Sequence, residues 1–262
     1  MSLILKLSLI ISLLATVSSC GNRDICGAEK LELPEVTVTD STRLVQYEGF
    51  TLMYNLNRLT PQWVAWELEA HETDGDAERR HFKVDYSLDF PQADNDDYRN
   101  SGWDRGHMAP AGDMKWSETA MRESCYYTNA CPQNHNLNGG VWKSLEEKCR
   151  SLARDYGRMW IACGPIYREC AYGCIGPHKV AVPDAFYKVM LVRRCGRYHG
   201  IAFICDNRAG RRPLEEYVTT IDEVEAVTGL DFFCALDAKD EASAESRVDM
   251  SIWFADSDNL AR

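Results

Sequence analysis

Four consecutive residues, Asp104, Arg105, Gly106 and His107, combine an acid, a fixed cation, a flexible backbone position and a titratable imidazole. Imidazole is the side chain best placed to accept a proton near neutral pH, and a guanidinium presents a planar fork of donors suited to phosphate oxygens. A base beside a phosphate-binding group indicates phosphoryl chemistry. The structural alternative is that Asp104 and Arg105 form a local ion pair and that His107 is a partly buried, satisfied histidine.

A second cluster lies in residues 126–150. Apolar residues from Val141 to Tyr156 recur every three or four positions, which predicts a helix with one buried face. Asn138 precedes this helix and offers a neutral amide oxygen, a ligand type that Mg²⁺ accepts. Glu146 and Arg150 are one helical turn apart and therefore point the same way. Alternatively, Asn138 is a helix cap, and Glu146 and Arg150 form a surface ion pair.

The elements that position these clusters follow from apolar periodicity and from capping residues. Alternating or β-rich apolar runs predict strands over residues 62–70, 159–166, 185–193 and 198–205. Further helices are predicted over residues 117–124 and 221–228. Residues 94–100 are interpreted as a solvated loop, and His135 and His178 as loop histidines. We therefore expect one α+β domain with a mixed central sheet and flanking helices.

Two segments carry a family resemblance: DRGHMAPAGDM at residues 104–114 and TNACPQNHNLNGGVWKSLE at residues 128–146. The sequence resembles the DNA/RNA non-specific endonucleases of the ββα-metal (His-Me finger) superfamily over residues 47–233. The resemblance implies a ββα-metal motif in the fold and Mg²⁺ as cofactor, with Mn²⁺ as an alternative. It also implies hydrolysis of DNA and RNA phosphodiester bonds without sequence specificity, leaving 5′-phosphate ends.

The resemblance also implies roles for individual residues. His107 would be the general base that activates water, and Asn138 would be the direct protein ligand of the magnesium. Glu146 would orient water in the metal's coordination shell, while Arg105 and Arg150 would contact substrate phosphates. Two further positions would shape the site rather than react: Asp104 and Asn129.

The net charge of −11 limits how nucleic acid could be held. Proteins that bind nucleic acid by bulk electrostatics are usually basic. We therefore expect a local basic site and a divalent cation to bind the polyanion. Nucleic acid is the expected partner, and the sequence leaves homodimer formation open.

The first nineteen residues have the pattern of a secretory signal: one Lys, a Leu- and Ile-rich run and small residues before Cys20. Val17 to Cys20 resembles a bacterial lipoprotein processing signal, so we expect Cys20 to be lipidated and to anchor the chain to a membrane. Ordinary cleavage nearby is the alternative. The predicted organisation is a signal at 1–19, a tether at 20–40, an endonuclease domain at 41–240 and an acidic tail at 241–262. The predicted location is the bacterial cell envelope, either periplasmic or at the cell surface.

Cysteine content supports export. Without Cys20, ten cysteines remain, an even set that could form up to five disulfides in an oxidising compartment. Their connectivity is not encoded in the spacing. The even set predicts a secreted, disulfide-bonded protein.

Two other functions compete with the endonuclease. One is a non-catalytic surface module that binds nucleic acid, and the other is a phosphodiesterase for small substrates. A binding module does not need both His107 and Asn138, so the presence of this pair favours an enzyme.

Overall fold

A computed structural model describes residues 30–168, 171–210 and 212–254. Its strands are β1 (Thr42–Gln46), β2 (Thr51–Asn55), β3 (Thr60–Glu69), β4 (Asp104–His107), β5 (Ala130–Gln133), β6 (Arg158–Ile166), β7 (Cys174–Ile175), β8 (Val180–Ala181), β9 (Ala185–Arg194), β10 (Arg197–Asp206) and β11 (Val218–Thr219). Its α-helices are α1 (Asn95–Tyr98), α2 (Glu118–Ser124), α3 (His135–Leu137), α4 (Lys143–Tyr156), α5 (Ile221–Thr228), α6 (Ala238–Glu245) and α7 (Met250–Phe254). Short 3-10 turns occupy Ala70–Thr73, Ala111–Asp113, Tyr127–Asn129 and Leu214–Tyr217, and a π-type turn, Asn138–Trp142, leads into α4. No helix within the described ranges is long and apolar enough to cross a membrane.

Seven strands form a central antiparallel sheet in the order β1-β2-β3-β6-β9-β10-β11. Strand β3 shows why the sheet is central: Val64, Trp66 and Leu68 pack into the core on one face, and Trp63 and Ala65 pack into the core on the other. A strand that is apolar on both faces must be covered on both. The predicted α+β fold is confirmed, but the central sheet is antiparallel throughout rather than mixed. The two tryptophans are core residues.

Helices cover the two faces of the sheet separately. On one face, α4 contributes Leu145 and Leu152 to the core that also contains Trp66. On the other face, α5 and α6 contribute Val224 and Ala244 to the second core. The sheet therefore separates α4, which carries the predicted site residues, from the α5–α6 pair.

The predicted helix over residues 221–228 is confirmed as α5, and its ends have clear local causes. The Thr220 hydroxyl accepts a hydrogen bond from the Glu223 N–H at 3.2 Å, which satisfies one of the free donors of the first turn. Gly229 ends the helix with φ of +71°, a left-handed conformation that glycine adopts without a steric penalty.

Both ends of the predicted domain differ from expectation. Residues 30–40 are not a free tether, because Leu33 is buried and the Glu35 N–H donates to the Asp231 carbonyl at 2.7 Å. The prediction of a loose tail is wrong for residues 241–254, where Trp253 is buried and the Ile252 carbonyl accepts from the Tyr156 hydroxyl at 2.6 Å. The acidic composition of this segment led to the prediction of a loose tail, although its apolar residues pack against the domain.

The prediction of a disulfide framework is wrong for most of the cysteines. Seven of those within the described ranges carry free thiols: Cys125, Cys131, Cys149, Cys163, Cys174, Cys195 and Cys205. Five of these are buried, where a thiol packs as a small apolar group. The buried cysteines therefore belong to the apolar core, and the even count does not indicate disulfide bonds among them. Cys20, Cys26 and Cys170 lie outside the described residues.

Candidate active site

Strands β4 and β5 and the helix that follows them form a ββα unit around His107. The two strands pair antiparallel, with His107 opposite Ala130 and Gly106 opposite Cys131. The indole N–H of Trp142, at the start of the helix, donates to the His107 carbonyl at 3.3 Å and so ties the helix to β4. Gly106 is required here, because a Cβ at this position would lie 2.3 Å from Oε1 of Gln133.

A single asparagine fixes the loop that follows β4. The Asn129 amide donates to the carbonyls of Ala109 and Ser124 at 2.8 and 2.9 Å and accepts from the Ala109 N–H at 2.9 Å. Asn129 is fully buried, and all three hydrogen bonds are to backbone. These contacts shape the segment beside His107, as the resemblance implied.

The His107 imidazole is enclosed at the end of β4. The residue is 8% exposed, its ring centroid lies 4.5 Å from that of Phe82, and Nε2 lies 3.9 Å from the sulfur of Cys125. Burial, with a smaller contribution from the Arg79 cation, lowers the pKa of His107 to about 3. The ring is therefore neutral at physiological pH, which is the form that a general base requires.

Asn138 is oriented by an acidic partner. Its amide nitrogen donates to Oδ2 of Asp104 at 2.9 Å, and Nδ1 of His135 lies 3.0 Å from the same oxygen. Because the nitrogen is committed to Asp104, the amide oxygen is the atom left to face another ligand. The interpretation of His135 as a loop histidine is wrong, because it begins the short helix α3 and its ring contacts the Asp104 carboxylate. No local pattern in the sequence indicated this contact, since 31 residues separate the two.

Glu146 and Arg150 are half-buried members of a charge cluster that α4 forms with the buried Asp113. Burial raises the pKa of Glu146 to about 7; Lys188 and Arg150 oppose the rise, and Asp113 adds to it. The Arg150 guanidinium donates to Oδ1 of Asp113 at 2.7 Å, and the Trp66 indole N–H donates to the other carboxylate oxygen at 3.1 Å. Glu146 and Arg150 therefore do not form the surface ion pair considered as the alternative. Arg150 pairs instead with the Asp113 carboxylate, which has no solvent exposure.

Lys188 completes this cluster and was not identified from the sequence. It lies on β9, is fully buried, and places Nζ 4.8 and 4.7 Å from the ring centroids of Trp66 and Trp142. These distances correspond to cation–π contacts on two faces. Among the described residues Nζ has no hydrogen-bond partner, so the rings and the nearby carboxylates of Asp113 and Glu146 provide its stabilisation. A lone lysine in an apolar strand gave no sequence signal of this role.

Arg105 occupies a separate position. Its Nε donates to the Tyr127 hydroxyl at 3.2 Å, Nη2 donates to Oδ1 of Asn95 at 2.8 Å, and Cζ lies 5.4 Å from the Tyr98 ring centroid. These partners are uncharged, so the guanidinium keeps its positive charge uncompensated by them. Residues 94–100, interpreted as a solvated loop, contain the short helix α1 that holds this arginine.

Arg79 is the exposed cation that sequence reasoning missed. It lowers the pKa of His107 and opposes the raised pKa of Glu146, so its charge acts on both residues. It lies in a charged segment that resembles an ordinary surface loop. Because its charge acts on His107, Arg79 is a candidate phosphate contact.

A profile of the DNA/RNA non-specific endonucleases matches residues 28–239. The chain belongs to the DNA/RNA non-specific endonuclease family. Members of this family are metal-dependent nucleases. The ββα unit described above is thus the family motif, as the resemblance in residues 104–114 and 128–146 indicated.

Named relatives support this assignment. The chain is 38% identical over 213 residues to the mitochondrial nuclease EXOG of Xenopus laevis, an alignment that covers 75% of this chain and 60% of that protein. It is 32% identical over 216 residues to human mitochondrial endonuclease G, covering 77% and 73% respectively. A crystal structure of the EndoG/EndoGI complex, which concerns EndoG inhibition, matches with a TM-score of 0.71 and 29% identity, covering 78% of this chain and 90% of that one. The chain spans about three-fifths of the length of the EXOG proteins it matches.

The predicted bacterial envelope location is wrong. The endonuclease relatives above are mitochondrial proteins of animals, and a further relative is a mitochondrial nuclease of Schizosaccharomyces pombe. The prediction depended on a short apolar leader that ends at a cysteine, and this pattern is not specific to bacterial lipoproteins. The leader and Cys20 lie outside the described residues, and the comparisons give no support to lipidation or secretion.

Proposed function

We propose that this protein is a metal-dependent endonuclease that hydrolyses DNA and RNA without sequence specificity and leaves 5′-phosphate ends. The observation that carries the proposal is the neutral, enclosed imidazole of His107 on a ββα unit whose helical part presents Asn138 and Glu146. Family membership supplies the substrate class.

The donor set fits a hard divalent cation. The Asn138 amide oxygen is directed away from Asp104 because the amide nitrogen donates to that carboxylate, and Glu146 adds a second oxygen donor on α4, which follows the turn that contains Asn138. Mg²⁺ prefers oxygen ligands and retains several waters, so few protein ligands suffice. We propose that Asn138 binds Mg²⁺, or Mn²⁺, directly and that Glu146 holds it through water. The ion would offset the negative charge that develops on the phosphorus oxygens.

The remaining chemistry falls to the side chains of this chain. His107 would accept a proton from the attacking water, since its ring is neutral and burial keeps competing solvent away. The bond from phosphorus to the 3′ oxygen breaks, this oxygen takes up a proton from water to form the 3′ hydroxyl, and the phosphate stays on the 5′ oxygen of the next nucleotide. Arg79 and Arg105 would contact substrate phosphates. Arg150 would act mainly through its ion pair with Asp113, which fixes the helix face that carries Glu146.

Digestion of supercoiled plasmid and of RNA by the purified protein tests this proposal. We expect degradation of both polymers with Mg²⁺, none with chelator, and products that a ligase joins without prior phosphorylation. Loss of plasmid and RNA that continues in chelator would contradict the metal dependence. Cleavage of a small diester without attack on either polymer would favour the phosphodiesterase, and binding without turnover would favour the non-catalytic module.

We also propose a mitochondrial location, as in the names of the relatives. Fractionation of cells that express the tagged full-length chain tests it, and recovery outside mitochondria would contradict it. Homodimer formation stays a prediction.

A further inference from the structure

An acidic cluster lies on the α5–α6 side of the sheet, opposite the face that carries α4. One carboxylate oxygen from each of Asp222, Glu225 and Glu245 lies within 4.8 Å of the others. Asp222 and Glu225 are on α5, and Glu245 is the last residue of α6. Three carboxylates this close repel one another unless something positive lies between them.

Glu245 makes this cluster more than a group of exposed acids. The residue is 5% exposed, and its Oε1 atom is buried without a hydrogen-bond partner among the described residues. An unpartnered buried carboxylate is costly, and native proteins satisfy such groups or pair them with cations. This atom therefore indicates a missing ligand.

Among the described residues, the charges that act most strongly on Glu245 do not offset its negative charge. The four side chains with the largest electrostatic effect on it are all acidic: Glu225, Glu241, Asp231 and Asp222. Burial, reinforced by these carboxylates, raises the pKa of Glu245 to about 9. Either a proton or a cation must therefore neutralise this cluster at physiological pH.

A cation fits the arrangement better than a proton. A proton would neutralise one carboxylate and leave the others facing each other, whereas a divalent ion attracts all of them. Glu225 is already fixed, because its Oε1 accepts from the Phe232 N–H at 2.8 Å, and this contact holds the loop between the two helices. Several carboxylates around one ion are typical of Ca²⁺, which takes six to eight oxygen ligands including waters in a variable geometry, rather than of Mg²⁺.

We propose that Asp222, Glu225 and Glu245 form a calcium site that ties α5 to α6, separate from the catalytic residues. The ion would bind the folded protein and not the unfolded chain, so it would raise the unfolding temperature. It would hold these two helices against the sheet from the side away from His107. Its role is structural, and it does not depend on the proposed nuclease activity.

Thermal unfolding with increasing CaCl₂ at constant MgCl₂ tests the proposal on the full chain. For the wild type we expect the midpoint to rise by roughly 5–10 °C when Ca²⁺ reaches about 100 times its dissociation constant. Calorimetric titration should give one Ca²⁺ per chain at this site. Glu245→Gln, which keeps the shape and removes the charge, should abolish the rise.

Two control variants separate this site from other acidic groups. Glu147→Gln, an exposed acid on α4, and Asn138→Ala, at the catalytic metal position, should both keep the calcium-dependent rise. The proposal is overturned if Glu245→Gln retains the rise or if Asn138→Ala removes it. It is also overturned if the wild type shows no rise, including the case in which its stability falls as pH increases from about 5 to 9 in a way that Glu245→Gln abolishes. That last pattern would show that a proton occupies the cluster.

Discussion

Removal of the ion pair between Arg150 and Asp113 is the most direct test of which contacts stabilise the site. The Asp113 side chain has no exposure and the Arg150 side chain 18%, and their atoms are 2.7 Å apart. Replacement of Arg150 by Met keeps most of the side-chain volume but leaves a buried carboxylate without its closest cation. Removal of one partner of a buried pair typically costs about 3–5 kcal/mol. Lys188 remains in the cluster and attracts Asp113, so we expect the lower end, about 3 kcal/mol.

Urea unfolding measures this loss directly, and it corresponds to a fall in unfolding temperature of roughly 6–12 °C. Arg99→Met is the matched control, because Arg99 pairs with Asp96 at 2.8 Å with both side chains more than half exposed. We expect that control to lose less than about 1 kcal/mol. The double variant of Asp113→Asn with Arg150→Met should be less destabilised than the sum of the single variants, by at least about 1 kcal/mol.

Two results would refute this reasoning. If Arg150→Met unfolds within about 1 kcal/mol of the wild type, the pair does not hold the helix. If the two single substitutions are additive, Arg150 and Asp113 do not act together. A variant of normal stability with lost cleavage would show instead that Arg150 contacts the substrate phosphate, as the sequence predicted.

Three further predictions concern Glu146, Gly106 and Trp253. Because burial raises the pKa of Glu146 to about 7 in the metal-free protein, the affinity for Mg²⁺ should rise with the ionised fraction of Glu146 between about pH 6 and 8. Calorimetric titration with Mg²⁺ across this range measures the rise; Glu146→Gln should remove it, and a profile unchanged by that substitution would contradict the assignment. The free energy of unfolding of Gly106→Ala in urea should fall by about 2 kcal/mol, because the new methyl group overlaps Gln133. Gly139→Ala, which has open space around it, should keep the wild-type stability. Equal stabilities of the two variants would disprove the close approach. Trp253→Ala should lose about 3–5 kcal/mol because the ring is buried; a loss below about 1 kcal/mol would restore the idea of a loose tail.

The regular elements could be predicted because their causes are local. The apolar run of β3 and the Thr220 and Gly229 signals of α5 depend only on neighbouring residues. The ββα unit was anticipated from the resemblance carried by Asp104–His107 and by the segment containing Asn138, and not from periodicity.

The rest of the site depends on contacts between distant segments. Asp113 and Arg150 are 37 residues apart, and no local pattern around either residue predicts their contact. Lys188 was hidden because one charge in an apolar strand usually faces solvent, whereas here two tryptophan rings enclose it. The burial of Trp253 was not predicted, because the acidic residues around it indicated an exposed segment. Composition also misled the cysteine argument, since buried thiols and disulfides use the same residue.

The central claim, that His107 is the base of a metal-dependent nuclease, is tested most directly by one rate measurement. Single-turnover cleavage of a defined duplex with Mg²⁺ is compared for the wild type, His107→Ala and His71→Ala, a control with a side chain 72% exposed. We expect His107→Ala to lose about 10²–10⁴-fold in rate while it still folds and binds the duplex, and His71→Ala to match the wild type. A folded His107→Ala variant that cleaves within about tenfold of the wild type would contradict the account.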